Sequence, residues 1–200
     1  MRILGISGSL RRDSHNTALL RAAAEMLPPE VEFELFDGLR DVPLYDADID
    51  TPELQGPGVD ALKGAIERAD AVLIATPEYN HSIPGVLKNA LDWASRPVST
   101  NVLRGKPAAV VGASTGLFGA VWSQAETRKV LAAIGADVVD RELPVMQAHM
   151  QFDEYGNLRE EDLRSQLADH VAALVEATPR TPRTSVMSAQ ASDVMDVRAA

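Results

Sequence analysis

Ala71-Val72-Leu73-Ile74-Ala75 is an unbroken apolar run closed by Thr76-Pro77. With no polar face to offer, it reads as a strand buried on both sides, the hallmark of a parallel sheet covered by helices. Pro107-Ala108-Ala109-Val110-Val111-Gly112-Ala113 reads the same way, and so does the shorter Ile3-Leu4-Gly5-Ile6. From Val31 to Phe36, Val31, Phe33 and Leu35 alternate with Glu32 and Glu34, as expected of a strand at a sheet edge. Val138-Val139 begins a last strand.

Helical patterns fill the intervals. Thr17 to Leu27 is rich in Ala and Leu and is stopped by Pro28-Pro29. Val59, Leu62, Ile66 and Ala69 share one helical face. Ser82 is predicted to cap a helix in which Val86, Leu87, Ala90, Leu91 and Ala94 recur at the helical period. Val130, Leu131 and Ile134 close a fourth helix at Gly135, and Leu163, Leu167, Val171, Leu174 and Val175 mark a final one. Asp37 to Pro57 reads as loop. Five strands alternating with five helices predict an α/β, doubly wound, mostly parallel sheet with right-handed crossovers.

Composition narrows the function. The chain has 200 residues, 46% of them apolar, which suits one domain with a sizeable core. Its formal charge of −10 repels nucleic acid and anionic membranes, so neither is expected as a partner. There is no cysteine, which removes disulfides, thiolate catalysis, Cys-ligated zinc and Cys-held clusters, so redox chemistry would need a borrowed cofactor. The apolar run after Met1 meets Ser7-Gly8-Ser9 too early for a signal peptide, and no stretch approaches the length that crosses a bilayer. A cytoplasmic protein is expected. From Thr178 to Ala200 the text loses its periodicity, so a domain over residues 1–177 and a disordered tail over 178–200 are expected.

In open parallel sheets ligands bind beyond the carboxyl ends of the strands, and the loops after the first, third and fourth strands are unusual here. The first, Gly5 to Thr17, is dense in hydroxyls and small residues, carries Arg11-Arg12, and precedes a helix N-terminus. Backbone amides, a helix dipole and hydroxyls together favour an anion. The second runs from Thr76 to Gly85, with two prolines, an aromatic and several polar groups. The third, Gly112 to Gly119, has glycines that let backbone approach a flat ligand. A phosphate-type loop with two ring-type loops describes a mononucleotide with a planar head.

The strings GISGSLRRDSHNTALL, PEYNHSIPGVLKNALDW and GASTGLFGA, with FDEYGNL before the last helix, resemble the NADPH-dependent FMN reductases of the flavodoxin-like superfamily. The resemblance spans Met1 to about Ala177. It implies a three-layer α/β/α sandwich with a five-stranded parallel sheet in the order 2-1-3-4-5. It implies FMN as cofactor, with NADPH or NADH as reductant, and electrons passing to small acceptors such as quinones, flavins, azo compounds or metal oxyanions. By the same resemblance Ser9, Arg11, Ser14, Asn16 and Thr17 hold the phosphate, Pro77, Glu78, Tyr79 and Asn80 border the isoalloxazine, and Ser114, Thr115 and Gly116 offer donors to its pyrimidine edge. No side chain is assigned as catalytic acid or base, since hydride transfer falls to flavin N5. Homodimers or homotetramers with shared pockets are implied, with Trp93, Trp122 and Phe118 as interface candidates.

Two departures stand out. The third loop has Gly119-Ala120 and no Arg before Arg128, where the family often has Gly-Gly followed by Arg, and His81 stands where Gly is frequent; it reads as an exposed loop imidazole.

Rival readings remain at this point. Gly112-Ala113-Ser114-Thr115-Gly116 fits the nucleophile elbow of a serine hydrolase, with His149 and His170 downstream. No acid adjoins His149, and His170 reads as a surface helical residue. A flavodoxin-type electron carrier is a third class. His15, His81, His149 and His170 lack any metal-ligand spacing, so no metal site is expected.

Overall fold

The computed structural model of the chain describes residues 1–179. Its sheet is wholly parallel, built from β1 (Arg2–Ser7), β2 (Glu32–Phe36), β3 (Ala71–Thr76), β4 (Pro107–Ala113), β5 (Asp137–Val138) and β6 (Pro144–Val145). Its path is β2-β1-β3-β4-β5, the order implied by the resemblance. The apolar runs become the three central strands, in register from Ile3 to Ala71 and from Ile74 to Val110.

Period-two alternation sends successive side chains to opposite faces. Leu4, Val72, Ile74 and Val110 point into one core, which α2 (Pro57–Arg68), α3 (Gly85–Ala94) and Leu131 of α4 (Val121–Ala133) cover. Ile3, Leu73, Ala109 and Val111 point into the other, closed by α1 (His15–Glu25) and α6 (Glu161–Ala177) through Leu19, Leu20, Leu167 and Leu174. This is the three-layer sandwich expected. A short α5 (Ala148–Gln151) lies between β6 and α6.

The distal edge differs from expectation. The fifth strand is cut in two: β5 pairs with Pro107 and Ala108 at the start of β4, and β6 pairs with Gly112 and Ala113 at its end. Val139 and Leu143 still bond β4 through the Ala108 carbonyl and the Gly112 amide, residues 140–142 leave the ladder between them, and Gln124 of α4 lies against the break. Its Oε1 accepts from the Leu143 amide, and its Nε2 donates to the carbonyls of Gly119 and Leu143. A buried side-chain amide thus satisfies backbone groups that a continuous strand would have paired.

Several expectations need correction. Ser82 does not cap α3, whose N-cap is Pro84; the Ser82 hydroxyl donates instead to Glu126. His170 is not on the surface but only 2% exposed, because it shares the inward stripe of Leu167, Val171 and Leu174. Trp93 is fully buried, donating from Nε1 to the Pro43 carbonyl and meeting Tyr45 edge-on, so it is core rather than interface. Asp37 to Gly56 is loop broken by two single 3₁₀ turns, at 38–41 and 47–49, and Pro57, expected in the loop, is the first residue of α2. Thr178 closes α6, its hydroxyl donating to the Leu174 carbonyl; of the tail expected over 178–200, residues 180 onward lie outside the described residues.

Candidate active site

The carboxyl ends of β1, β3 and β4 converge on a cavity of about 230 Å³. Its wall includes Ser9, Arg11, Ser14, Asn16, Pro77, Glu78, Tyr79, Ser114 and Thr115 from the residues singled out above, joined by His15 and Ala113.

The first loop is shaped by its own hydroxyls. The Gly8 amide donates to the Ala75 carbonyl at 2.8 Å, tying the loop to β3. Thr17 Oγ1 donates to Ser7 Oγ at 2.9 Å, and the amides of Ser9 and Arg11 lean on Ser7 Oγ and Ser9 Oγ. The Arg11 guanidinium bonds the Asp13 carbonyl. Ser14 is the N-cap of α1 and accepts from the Thr17 amide. The other first-turn amides have no intrahelical acceptor, so the positive end of the α1 dipole adds to Ser9, Arg11 and Ser14 on the cavity wall.

Asn16 is 3% exposed and fully engaged: its Nδ2 donates to the Ala113 carbonyl and its Oδ1 accepts from the Ala113 amide, both at 2.9 Å. It staples the first loop to the third. Thr17 lies outside this cavity, on the wall of a neighbouring one.

In the second loop Asn80 and His81 both have positive φ, 53° and 60°, between Tyr79 and Ser82, which exchange backbone bonds in both directions. This is a two-residue hairpin of the type I′ kind. The turn explains both Asn80, a residue that tolerates the left-handed region, and the family's frequent Gly at the next position. Asn80 shapes the loop without lining the cavity. Glu78 reaches across to α4: its Oε2 accepts from the amides of Trp122 and Ser123 at 3.0 and 3.1 Å, capping that helix from outside. The exposed His81 stands 3.5 Å from Glu78 Oε1 and meets Trp122 edge-on at 4.5 Å.

The third loop is fixed by β6 and α5. The Ser114 amide donates to the Val145 carbonyl, and the carbonyls of Ser114 and Gly116 accept from Ala148 and Gln147. Gly119 has φ +58° and lies against Pro144, where a Cβ would come within 2.5 Å of backbone. Gly116 does not line the cavity; its amide donates to Ser114 Oγ at 3.1 Å. Among the described residues no histidine hydrogen-bonds Ser114: His170 is buried and His149 is exposed. The elbow therefore lacks its base.

His15, with Ala113, lines the cavity although sequence reasoning gave it no role. Half-buried, it stacks on Phe152 with an interplanar angle of 9°. Burial, then the charges of Arg11 and His149, push its pKa below the usual histidine value, so the imidazole stays neutral beside the phosphate-type loop. Its place in Ser14-His15-Asn16, at the first turn of the helix that follows the loop, was the available signal. Among the described residues no cluster of His, Asp or Glu has metal-ligand geometry, and no helix is long and apolar enough to cross a membrane.

The donor set suits FMN. Hydroxyls, a guanidinium and a helix N-terminus match a phosphate in chemistry, and Pro77, Tyr79, Ser114 and Thr115 on the same wall match a flat ring with polar atoms at its edge.

Comparison with known proteins agrees. Residues 1–150 match the NADPH-dependent FMN reductase family. An NAD(P)H-dependent FMN reductase of Pseudomonas aeruginosa is 41% identical over 87% of this chain and 93% of its own length. A 2-hydroxy-1,4-benzoquinone reductase of a Burkholderia species is 42% identical over 84% and 90%. Among solved structures, FerB, a flavoenzyme NAD(P)H:(acceptor) oxidoreductase of Paracoccus denitrificans, superposes with a TM-score of 0.75 at 34% identity, covering 89% of this chain and 99% of that one.

Proposed function

The chain belongs to the NADPH-dependent FMN reductase family and is an NAD(P)H-dependent, FMN-using oxidoreductase, and from that premise we propose how its residues divide the work. The observation that carries the assignment is the single cavity shared by the three loops at the carboxyl ends of β1, β3 and β4.

Ser9, Arg11 and Ser14 bind the phosphate of FMN, helped by the dipole of α1. Thr17 supports them through Ser7. Asn16 holds the phosphate loop and the third loop at a fixed separation. Pro77 and Tyr79 border the isoalloxazine, with Glu78 and Asn80 setting that loop's course. Ser114 and Thr115 present donors to the pyrimidine edge, where negative charge collects on reduction, and Gly116 fixes the Ser114 hydroxyl. The flavin, when bound, supplies the two-electron exchange between nicotinamide and acceptor. The chain's own part is to bind, orient and shape access, with no acid or base required of a side chain.

The acceptors we propose are small and flat-docking, quinones first, given the relatives' activities. Phe118 and Trp122 are in ring contact, Trp122 also against His81, and Leu117 and Phe118 are 66% and 60% exposed. A contiguous apolar patch of this kind marks an interface, and we assign it to a second copy of the chain, in a homodimer or homotetramer.

FMN titration followed by flavin fluorescence tests the assignment. Arg11→Ala is expected to weaken binding by about tenfold or more through loss of a charge-assisted phosphate contact. Unchanged affinity removes Arg11 from the site.

A further inference from the structure

A second cavity, of about 260 Å³, lies on the β2 side of the first loop. Ser9 and Arg11 line both cavities, so the two share a wall. Around the second stand four guanidinium groups, Arg11, Arg12, Arg21 and Arg40, contributed by the first loop, by α1 and by the turn after β2.

This concentration is anomalous in a chain of formal charge −10. Elsewhere four arginines find carboxylates, Arg2 with Glu32, Arg68 with Glu34, Arg128 with Glu142 and Arg164 with Glu161, while Arg104 and Arg159 bond carbonyls and Arg96 lies over Tyr45, each singly rather than grouped around one cavity. None of the four around this cavity is in an ion pair among the described residues. Arg11 and Arg40 bond carbonyls, those of Asp13 and Leu10. Asp37 lines the cavity too, outside salt-bridge distance of all four. Like charges gathered without counter-charges cost stability unless an anion offsets them. Leu10, Leu35, Phe36 and Leu39 form an apolar part of the wall, and Ser7, Ser9 and Thr17 add hydroxyls.

We propose that this cavity receives the 2′-phosphoadenosine end of NADPH, with Arg21 and Arg40 on the 2′-phosphate and the apolar wall against the adenosine. The inference rests on the nicotinamide-dependent function and adds the residues that choose between NADPH and NADH. Arg21 and Arg40 line one cavity, and guanidinium groups hold a phosphate by charge-assisted, bidentate hydrogen bonds. Asp37 opposes that preference and sets a limit on it, while the surplus of arginines decides the sign.

The test uses the FMN-loaded protein. Calorimetry with adenosine 2′,5′-bisphosphate, 5′-AMP and inorganic phosphate separates the ligand sources. The bisphosphate is expected to bind at least tenfold tighter than either of the others, and Arg21→Ala to remove that advantage while Arg21→Lys retains part of it. In steady-state turnover the ratio of kcat/KM for NADPH to that for NADH is expected to fall about tenfold in Arg21→Ala, mainly through KM for NADPH. Equal binding of bisphosphate and AMP, binding of phosphate as tight as the bisphosphate, or an unchanged ratio in Arg21→Ala and Arg40→Ala alike overturns the proposal. An FMN-loaded wild type that oxidises neither nucleotide overturns the function on which it rests, a result distinct from turnover without selectivity.

Discussion

Acid should unfold this protein through His170. The ring is packed between α6 and β4, held through the backbone of Val110, and its Nε2 is buried without a hydrogen-bond partner among the described residues. Burial first, then the charges of Arg141 and Arg128, lowers its pKa from 6.5 to about 4. Glu142, Asp169 and Gln166 line the adjacent surface cavity with Arg141 and leave that direction unchanged. The unfolded chain therefore takes up this proton near pH 6.5, whereas the folded protein resists until about pH 4. The stability this neutral ring permits is complete above pH 6.5, declines as the pH falls, and is lost below about 4. At about 1.4 kcal/mol per tenfold in proton affinity, the full loss is about 3 kcal/mol, of which about 2 kcal/mol falls between pH 7.5 and 5. For a domain of this size that is a drop of about 4–8 °C in Tm. Urea unfolding at both pH values, on wild type and His170→Gln, isolates the contribution, because every other ionisable group is common to the two proteins. The wild type is expected to lose about 2 kcal/mol more than the variant over that range. Equal losses would show that His170 does not resist protonation and refute the reasoning.

Other perturbations read other parts of the structure. Asn16→Ala leaves the Ala113 amide and carbonyl buried without partners and is expected to cost about 3 kcal/mol in chemical denaturation, with FMN affinity falling as the two loops separate. Asn80→Ala places a Cβ residue without Asn's local bonding at a positive φ and is expected to cost about 1 kcal/mol, read as a lowered urea midpoint at unchanged slope. Leu20→Ala, in the core between α1 and the sheet, is expected to cost about 2–5 kcal/mol by the same measurement. Light scattering at micromolar concentration should report a dimer or tetramer for the wild type and a lighter species for Trp122→Arg; identical masses would place the interface elsewhere.

How far the fold was legible follows from how each strand is buried. β1, β3 and β4 have helices on both faces, so their apolar runs announce them, and β2 shows its edge position through Glu32 and Glu34. β5 and β6 each span two residues, too few for any pattern, and Pro144 in β6 reads as a strand breaker. Ser82 looks like an N-cap because serine before an apolar helix usually is one, but the hairpin at Asn80-His81 turns it toward Glu126. His170 was misread from its residue type alone. Its spacing of three from Leu167 and four to Leu174 places it on the buried stripe, and that spacing is visible in the sequence. At the site, the residue types marked three loops as ligand-binding, while their division of labour was hidden. That Asn16 is a staple and Glu78 a helix cap follows from contacts spanning 97 and 44 residues, which no local pattern encodes.

The two sheet margins also govern what the molecule can do in company. A bare strand edge invites another chain to add a strand, the route to fibrils and run-away stacking. Here one margin is β2, bearing Glu32 and Glu34 tied to Arg2 and Arg68. The other is broken between β5 and β6, with Gln124 already holding the backbone of Leu143 in the gap. Neither offers a long, flat, uncharged row of amides and carbonyls. Self-association is thereby steered away from open-ended polymerisation and toward closed contacts made by side chains on helices and loops.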